Sequence, residues 1–245
     1  MAVRSIARFF ALTVGVSLIS GPMARAQGCA PGMGRPALNT LTPAEQAAGW
    51  RLLFDGRTMN AWRGYKHAGM PEGWSIVDGA LTRVGSGGDI VTRDQFSSFE
   101  LSLEWRVASG GNSGILYRVT EQGAASYETG PEMQVLDDAR HPDGKSRLTS
   151  AGALYGLYPA PEGAVKPAGQ WNAARIVVNG NRVQHWLNGI QTVEYELLSP
   201  EWEGKVAGSK FTQWPRYGRA TRGHIALQDH GDLVAYRNIK IRTLP

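Results

Sequence analysis

From Phe99 to Val107 apolar and polar residues alternate over nine positions, Phe-Glu-Leu-Ser-Leu-Glu-Trp-Arg-Val. That period of two predicts a strand with one dry face and one wet face. The alternation returns over 174–178, 182–187 and 191–197, and the runs are separated by Asn179-Gly180 and Asn188-Gly189. Asn-Gly suits the two-residue hairpin turn, because both of its central residues take positive φ. An antiparallel meander is therefore predicted, with another hairpin at Asp78-Gly79 inside the run Trp74–Thr82 and final strands at His224–Gln228 and Val234–Arg242. Between Trp50 and Pro245 no stretch carries the 3.6-residue apolar period of a helix of several turns. The fold class predicted is all-β, a single antiparallel sandwich of about a dozen strands.

The N-terminus has a different pattern. Arg4 and Arg8 precede an apolar run from Phe9 to Ile19, and Ala24-Arg25-Ala26 follows as an A-x-A cleavage site. Residues 1–26 thus read as a Sec-type export signal, and the run is too short for a membrane span. A periplasmic protein is the expectation. A lipid-modified Cys29 is disfavoured, because Ala26-Gln27-Gly28 lacks the large aliphatic residue such a site prefers. Residues 27–48 read as a flexible leader with one short helix, started by Thr42-Pro43 with Glu45 in its first turn. Residues 49–245 form the domain.

Composition narrows the partners. With 42% hydrophobic and 19% charged residues the chain can bury a real core. The net charge of +5 is mostly signal: three of the 26 basic residues leave with it, so 23 face 21 acids and the charge falls to +2. Nothing then favours nucleic acid. One cysteine excludes an internal disulfide and a cysteine-based metal cluster.

Strand alternation sorts the polar side chains by face. Glu104 lies on the polar side of 99–107, Leu116 and Arg118 oppose Ile115, Tyr117 and Val119, Glu132 pairs with Gln134, and His224, Gln228 and His230 share a side. If those faces line one side of one sheet, Glu104, Arg118, Glu132, Gln134, Gln228 and His230 meet in a groove. The alternative for each is a solvated outer face, and for His230 a place in the turn made by Asp229 and Gly231. Trp62, Trp171, Trp202 and Trp214, with Tyr155 and Tyr158, read as loop or strand-edge aromatics able to stack on sugar faces, whereas Trp105 and Trp186 read as core. No H-x-H or H-E-x-x-H spacing marks a zinc site.

Five fragments carry a resemblance. Leu53-Phe54-Asp55-Gly56, Asn112-Ser113-Gly114-Ile115, Glu132 to Asp137, His185 to Gly189, and Leu227 to Gly231 followed by Arg237-Asn238-Ile239 resemble, in this order, the 3-keto-disaccharide hydrolase family. The likeness spans Trp50 to Leu244. It implies a concanavalin-like jelly-roll sandwich and 3-keto-glucoside lyase or 2-hydroxy-glucal hydratase activity. A carbonyl at C3, installed by a separate sugar 3-dehydrogenase, acidifies the C2 proton. Its removal gives an enolate that expels the C1 oxygen, and water can add back to the glucal.

Such chemistry requires a base, an acid for the leaving group and a group that stabilises the enolate oxygen. Histidine titrates nearest the working range, so His230 is the expected proton-transfer residue, with Glu132 as its partner, a second acid/base or a metal ligand. Arg118, Gln134 and Gln228 are expected to hold the 3-keto oxygen and flanking hydroxyls, with Asn112 and Tyr158 at the rim and Glu104 and Trp214 as further substrate contacts. No organic cofactor is expected; a divalent ion on Glu132 and His230 is left open. The other expected partner is a small keto-sugar or glycoside. Two rivals stand beside this reading: a laminarinase-like retaining hydrolase using Glu132, Gln134 and Asp137, and a non-catalytic carbohydrate-binding module.

Overall fold

The computed structural model describes residues 1–2 and 37–245. The export signal, its cleavage site and Cys29 lie outside the described residues. In chain order the elements are a five-residue helix α1 (Pro43–Ala47), then β1 (Arg51–Leu52), β2 (Trp62–Gly64), β3 (Trp74–Val77), β4 (Ala80–Arg83), β5 (Ile90–Thr92), β6 (Phe99–Val107), β7 (Asn112–Val119), β8 (Glu132–Leu136), β9 (Asn172–Asn179), β10 (Arg182–Leu187) and β11 (Ile190–Glu196). A second helix α2 (Pro200–Ala207) precedes β12 (His224–Leu227) and β13 (Val234–Thr243). Among the described residues no helix is long and apolar enough to cross a membrane.

The strands pair antiparallel into two sheets. One runs β11, β10, β9, β6, β13, β4, β3, with β1 also on β13; the other runs β2, β5, β12, β7, β8. Phe99, Leu101, Leu103, Trp105 and Val107 of β6 face Ile115 and Tyr117 of β7, Met133 and Val135 of β8 and Ile225 and Leu227 of β12 across one continuous core. This is the antiparallel sandwich that the alternation predicted and the jelly roll that the resemblance implied.

Two hairpins have the expected turn: Asp78-Gly79 and Asn188-Gly189 both sit at positive φ in two-residue loops. The third is shifted by one residue. Arg182 pairs with Asn179, so the loop is Gly180-Asn181 and only Gly180 has positive φ. Within the described part of the leader, Asn39 and Asn238 exchange backbone N–H to side-chain oxygen hydrogen bonds and Glu45 pairs with Lys240. The helix α2 was not legible as a period. It has two turns, started by Ser199, which accepts from Trp202 N, and it buries only Trp202 and Val206.

Candidate active site

The outward face of the five-stranded sheet is divided. At one end Val91, Leu116, Val119 and Ala226 form a small apolar cluster roofed by Tyr65. At the other, Asn112 of β7, Glu132 and Gln134 of β8 and Gln228, just past β12, come together in a solvent-open cleft of about 250 Å³. Tyr127, Tyr155, Lys210, Phe211, Trp214 and His230 complete its walls.

Local geometry explains why the side chains converge. A Cβ on Gly114 would collide with the Glu132 carboxylate, so the glycine is what lets that side chain lie across β7. The segment after β8 turns back along it: Gln134 N donates to Ala153 O, Gly152 N to Gln134 O, and Tyr155 N to Glu132 O at 3.0 Å. That places the Tyr155 ring beside Glu132. Asp229 fixes the turn below His230. It pairs with Arg83 at 2.6 Å and accepts the backbone N–H groups of Gly87, Gly88 and Gly231. His230 stands exposed at the mouth, its ring 6.1 Å from that of His141 in an edge-on contact.

Electrostatics set Glu132 apart. Burial pushes its carboxyl up from the ordinary value of 4.5 to about 8; the nearby Asp89 and Asp143 push the same way and Lys210 opposes them. Asp89 is itself raised, chiefly by burial, although it accepts from Ser126 Oγ and from Asp229 N. Tyr155, which donates to Asp143 at 3.1 Å, is pushed up to about 12, first by burial. Around these groups, buried polar atoms have no partner: Asn112 Oδ1, both amide atoms of Gln134, and Gln228 Oε1. Buried polar atoms are normally hydrogen-bonded. Four such atoms in one cleft leave donor and acceptor capacity facing a solvent-open space.

The aromatic wall is rigid because it continues into the core. Tyr127 meets Trp214 edge-on at 5.4 Å, Phe211 tilts against Trp214, and stacked contacts run on through Tyr217, Trp202 and Tyr195 to Tyr158. Trp214 is the only one of the four loop tryptophans that lines the cleft. Trp62 and Trp202 are core, and Trp171 is half-buried beneath Arg106 and Arg237. Trp186, expected in the core, lies half-buried on the outer face beneath Arg175.

Six of the nine residues expected at the site therefore come together: Asn112, Glu132, Gln134, Trp214, Gln228 and His230. Three do not. Glu104 lies on the other sheet, paired with Arg237 at 2.6 Å. Tyr158 sits at the far end of the aromatic column, with Lys205 over its ring. Arg118 is turned away by a bulge: it takes φ 52°, and between His224 opposite Val119 and Ala226 opposite Leu116 the chain of β7 has one residue more than β12. Val119 consequently joins the face of Leu116, and the Arg118 guanidinium donates to the carbonyls of Ser97 and Gly180. His224 shares the sheet face but not the cleft; its Nδ1 lies against Thr92 O, with Gln95 and Arg63 near Nε2.

Alternation could not find Tyr127, Lys210 or Phe211, which reach the cleft from short turns outside the strands, or Asp89, whose field reaches Glu132. The one local signal is an acid, Asp89, directly before the apolar strand β5. Among the described residues no three His, Cys, Asp or Glu side chains converge as metal ligands.

Fold and cleft together define a jelly-roll sandwich protein with a polar, solvent-open cleft on the outward face of its smaller sheet. The chain belongs to the 3-keto-alpha-glucoside-1,2-lyase-like domain family, whose model matches residues 49–242. It is 36% identical over 239 residues to a 3-keto-disaccharide hydrolase of Bacteroides thetaiotaomicron, covering 84% of this chain and 82% of that protein. It is also similar to two crystal structures of proteins from Parabacteroides distasonis assigned as glycosyl hydrolases. One has TM-score 0.79 and 33% identity over 85% of this chain and all of the other, and the second has TM-score 0.63 and 28% identity over 80% and 99%.

Proposed function

We propose that this cleft cleaves 3-keto-glycosides by removing the C2 proton and eliminating the C1 oxygen, with hydration of the resulting 2-hydroxy-glucal as the companion reaction. The observation that carries the reading is Glu132, a buried carboxyl with a pKa of about 8 beside unpartnered amides that suit sugar hydroxyls. At pH 7 it holds a proton, as a general acid for a poor leaving group must. His230 at the mouth takes the C2 proton. The electron pair of the C2–H bond becomes the C2=C3 bond of the enolate. When the enolate collapses, C1=C2 forms, the C1–O bond breaks and Glu132 supplies the proton that the departing aglycone oxygen takes up. No oxidant is consumed, because the C3 carbonyl is already in place; a separate dehydrogenase must install it. Gln134, Gln228 and Asn112 hold hydroxyls, and Trp214 and Tyr127 line the wall against the apolar sugar face. The sequence pattern of the N-terminus supports a periplasmic setting.

The two rivals explain less. A retaining hydrolase needs a second carboxylate about 5 Å from the first. Asp137, its candidate, accepts instead from the backbone N–H groups of Gly110 and Ala139. A binding module gives no reason to bury Glu132.

Leaving-group dependence tests the assignment. Glu132→Gln should lose about 100-fold or more in kcat on a 3-keto-disaccharide but far less on a 3-keto-glucoside of nitrophenol, whose oxygen leaves without a proton. Equal losses on both would remove Glu132 from the acid role.

A further inference from the structure

The elimination leaves negative charge on the C3 oxygen in a cleft whose lining carboxyl, Glu132, is neutral and offers that charge no counter-ion. The field of half-buried Asp89 reaches Glu132, and Asp143 accepts a hydrogen bond from Tyr155 of the cleft wall. An enolate forming there needs a cation. Arg118, the arginine expected to hold the 3-keto oxygen, points to Ser97 and Gly180 instead.

We propose that Lys210 is the catalytic cation that takes up the charge on the C3 oxygen as the C2 proton leaves; this rests on the 3-keto-glycoside reading above. Among the described residues Lys210 is the only lysine or arginine lining the cleft, and its Nζ has no ion-pair partner. The side chain is nevertheless held. Nζ lies 4.3 Å from the centre of the Tyr155 ring and 5.4 Å from that of Phe211, the attraction of a cation for an aromatic face. Its backbone starts the short 3-10 turn Lys210–Gln213, fixed by Ser209 accepting from Phe211 N. The field of Lys210 reaches Glu132, where it opposes the upward push of burial. A cation poised over rings, close to the proton-bearing carboxyl but not neutralised by it, is placed to meet charge that exists only after the substrate begins to react. The interaction is electrostatic. No bond to nitrogen forms, and the electron pair that reaches the oxygen returns to carbon when the aglycone departs.

The test compares wild type, Lys210→Met and Lys210→Arg on a 3-keto-glucoside, reading kcat, KM and exchange of the C2 proton for deuterium in recovered substrate. Lys210 is exposed, and a thermal melt reports whether each variant keeps its fold. K210M should lose on the order of 100-fold in kcat, with a smaller change in KM and a parallel loss of exchange, the size seen when one stabiliser of a developing oxyanion is removed. K210R should recover part of both. An unchanged kcat in folded K210M, or a change confined to KM, would overturn the role. So would a covalent adduct at Lys210 trapped by borohydride, since that would make it an imine-forming amine. A wild-type protein inert toward every 3-keto-glucoside would overturn the reading of function itself, an outcome distinct from an active enzyme indifferent to Lys210.

Discussion

The outer faces of the two sheets carry similar polar residues and treat them in opposite ways. On the eight-stranded sheet every prominent charge is answered. Glu100 pairs with Arg175 and Arg242, Glu104 pairs with Arg237, and Trp171 lies beneath both Arg106 and Arg237. On the five-stranded sheet Asn112, Gln134 and Gln228 leave buried amide atoms unpaired, and Glu132 is held neutral by burial. A polar residue whose partners lie within the fold stabilises or solubilises it. One left without a partner beside an open cleft keeps its capacity to pair with a group from outside the fold.

That contrast can be broken by substitution. The largest effect should come from His230→Ala, which is expected to lower turnover on a 3-keto-glucoside at least about 100-fold while the melting temperature stays within a few degrees of wild type. Retained turnover would return His230 to a role in the turn. Gly114→Ala comes next: it pushes the Glu132 carboxylate from its place over β7, and a displacement of about 1 Å should cost tens of fold in kcat. Circular dichroism would separate that loss from unfolding.

Glu132→Gln should also change stability. The folded-state pKa of Glu132 is above its unfolded value of 4.5, so the native state binds the extra proton between about pH 4.5 and 8, and stability falls as pH rises through that window. The glutamine variant escapes this and should be more stable by about 3 kcal/mol at pH 7, with little gain at pH 4, as read by urea melts. The same carboxyl should give kcat an alkaline limb near pH 8, absent in the variant. The smallest effect is expected at the other face. Glu104→Gln should leave kcat and KM within about twofold, because its pair with Arg237 lies on the opposite sheet.

The sandwich was legible because strand alternation and Asn-Gly turns are local properties of the chain. So was the convergence of Glu132, Gln134 and Gln228, which follows from their sheet face. Arg118 failed because one residue in the left-handed region inserts a bulge and reverses every face beyond it, a shift that no alternation count records. Glu104 failed because alternation gives a residue's face but not its sheet. Lys210, Phe211 and Asp89 come from loops and strand ends, where position is set by tertiary contacts rather than by period. Tyr158 shows the converse: a loop aromatic looks the same in sequence whether it lines a cleft or ends a buried stack.

The most direct test of the account offers the protein a 3-keto-glucoside and its unoxidised parent side by side, following enone absorbance and aglycone release. Release from the keto-sugar alone, with an enone appearing before hydration, is the expected result. Release from the parent glycoside at a comparable rate would contradict it, because a sugar with a hydroxyl at C3 has no acidic C2 proton for this cleft to remove.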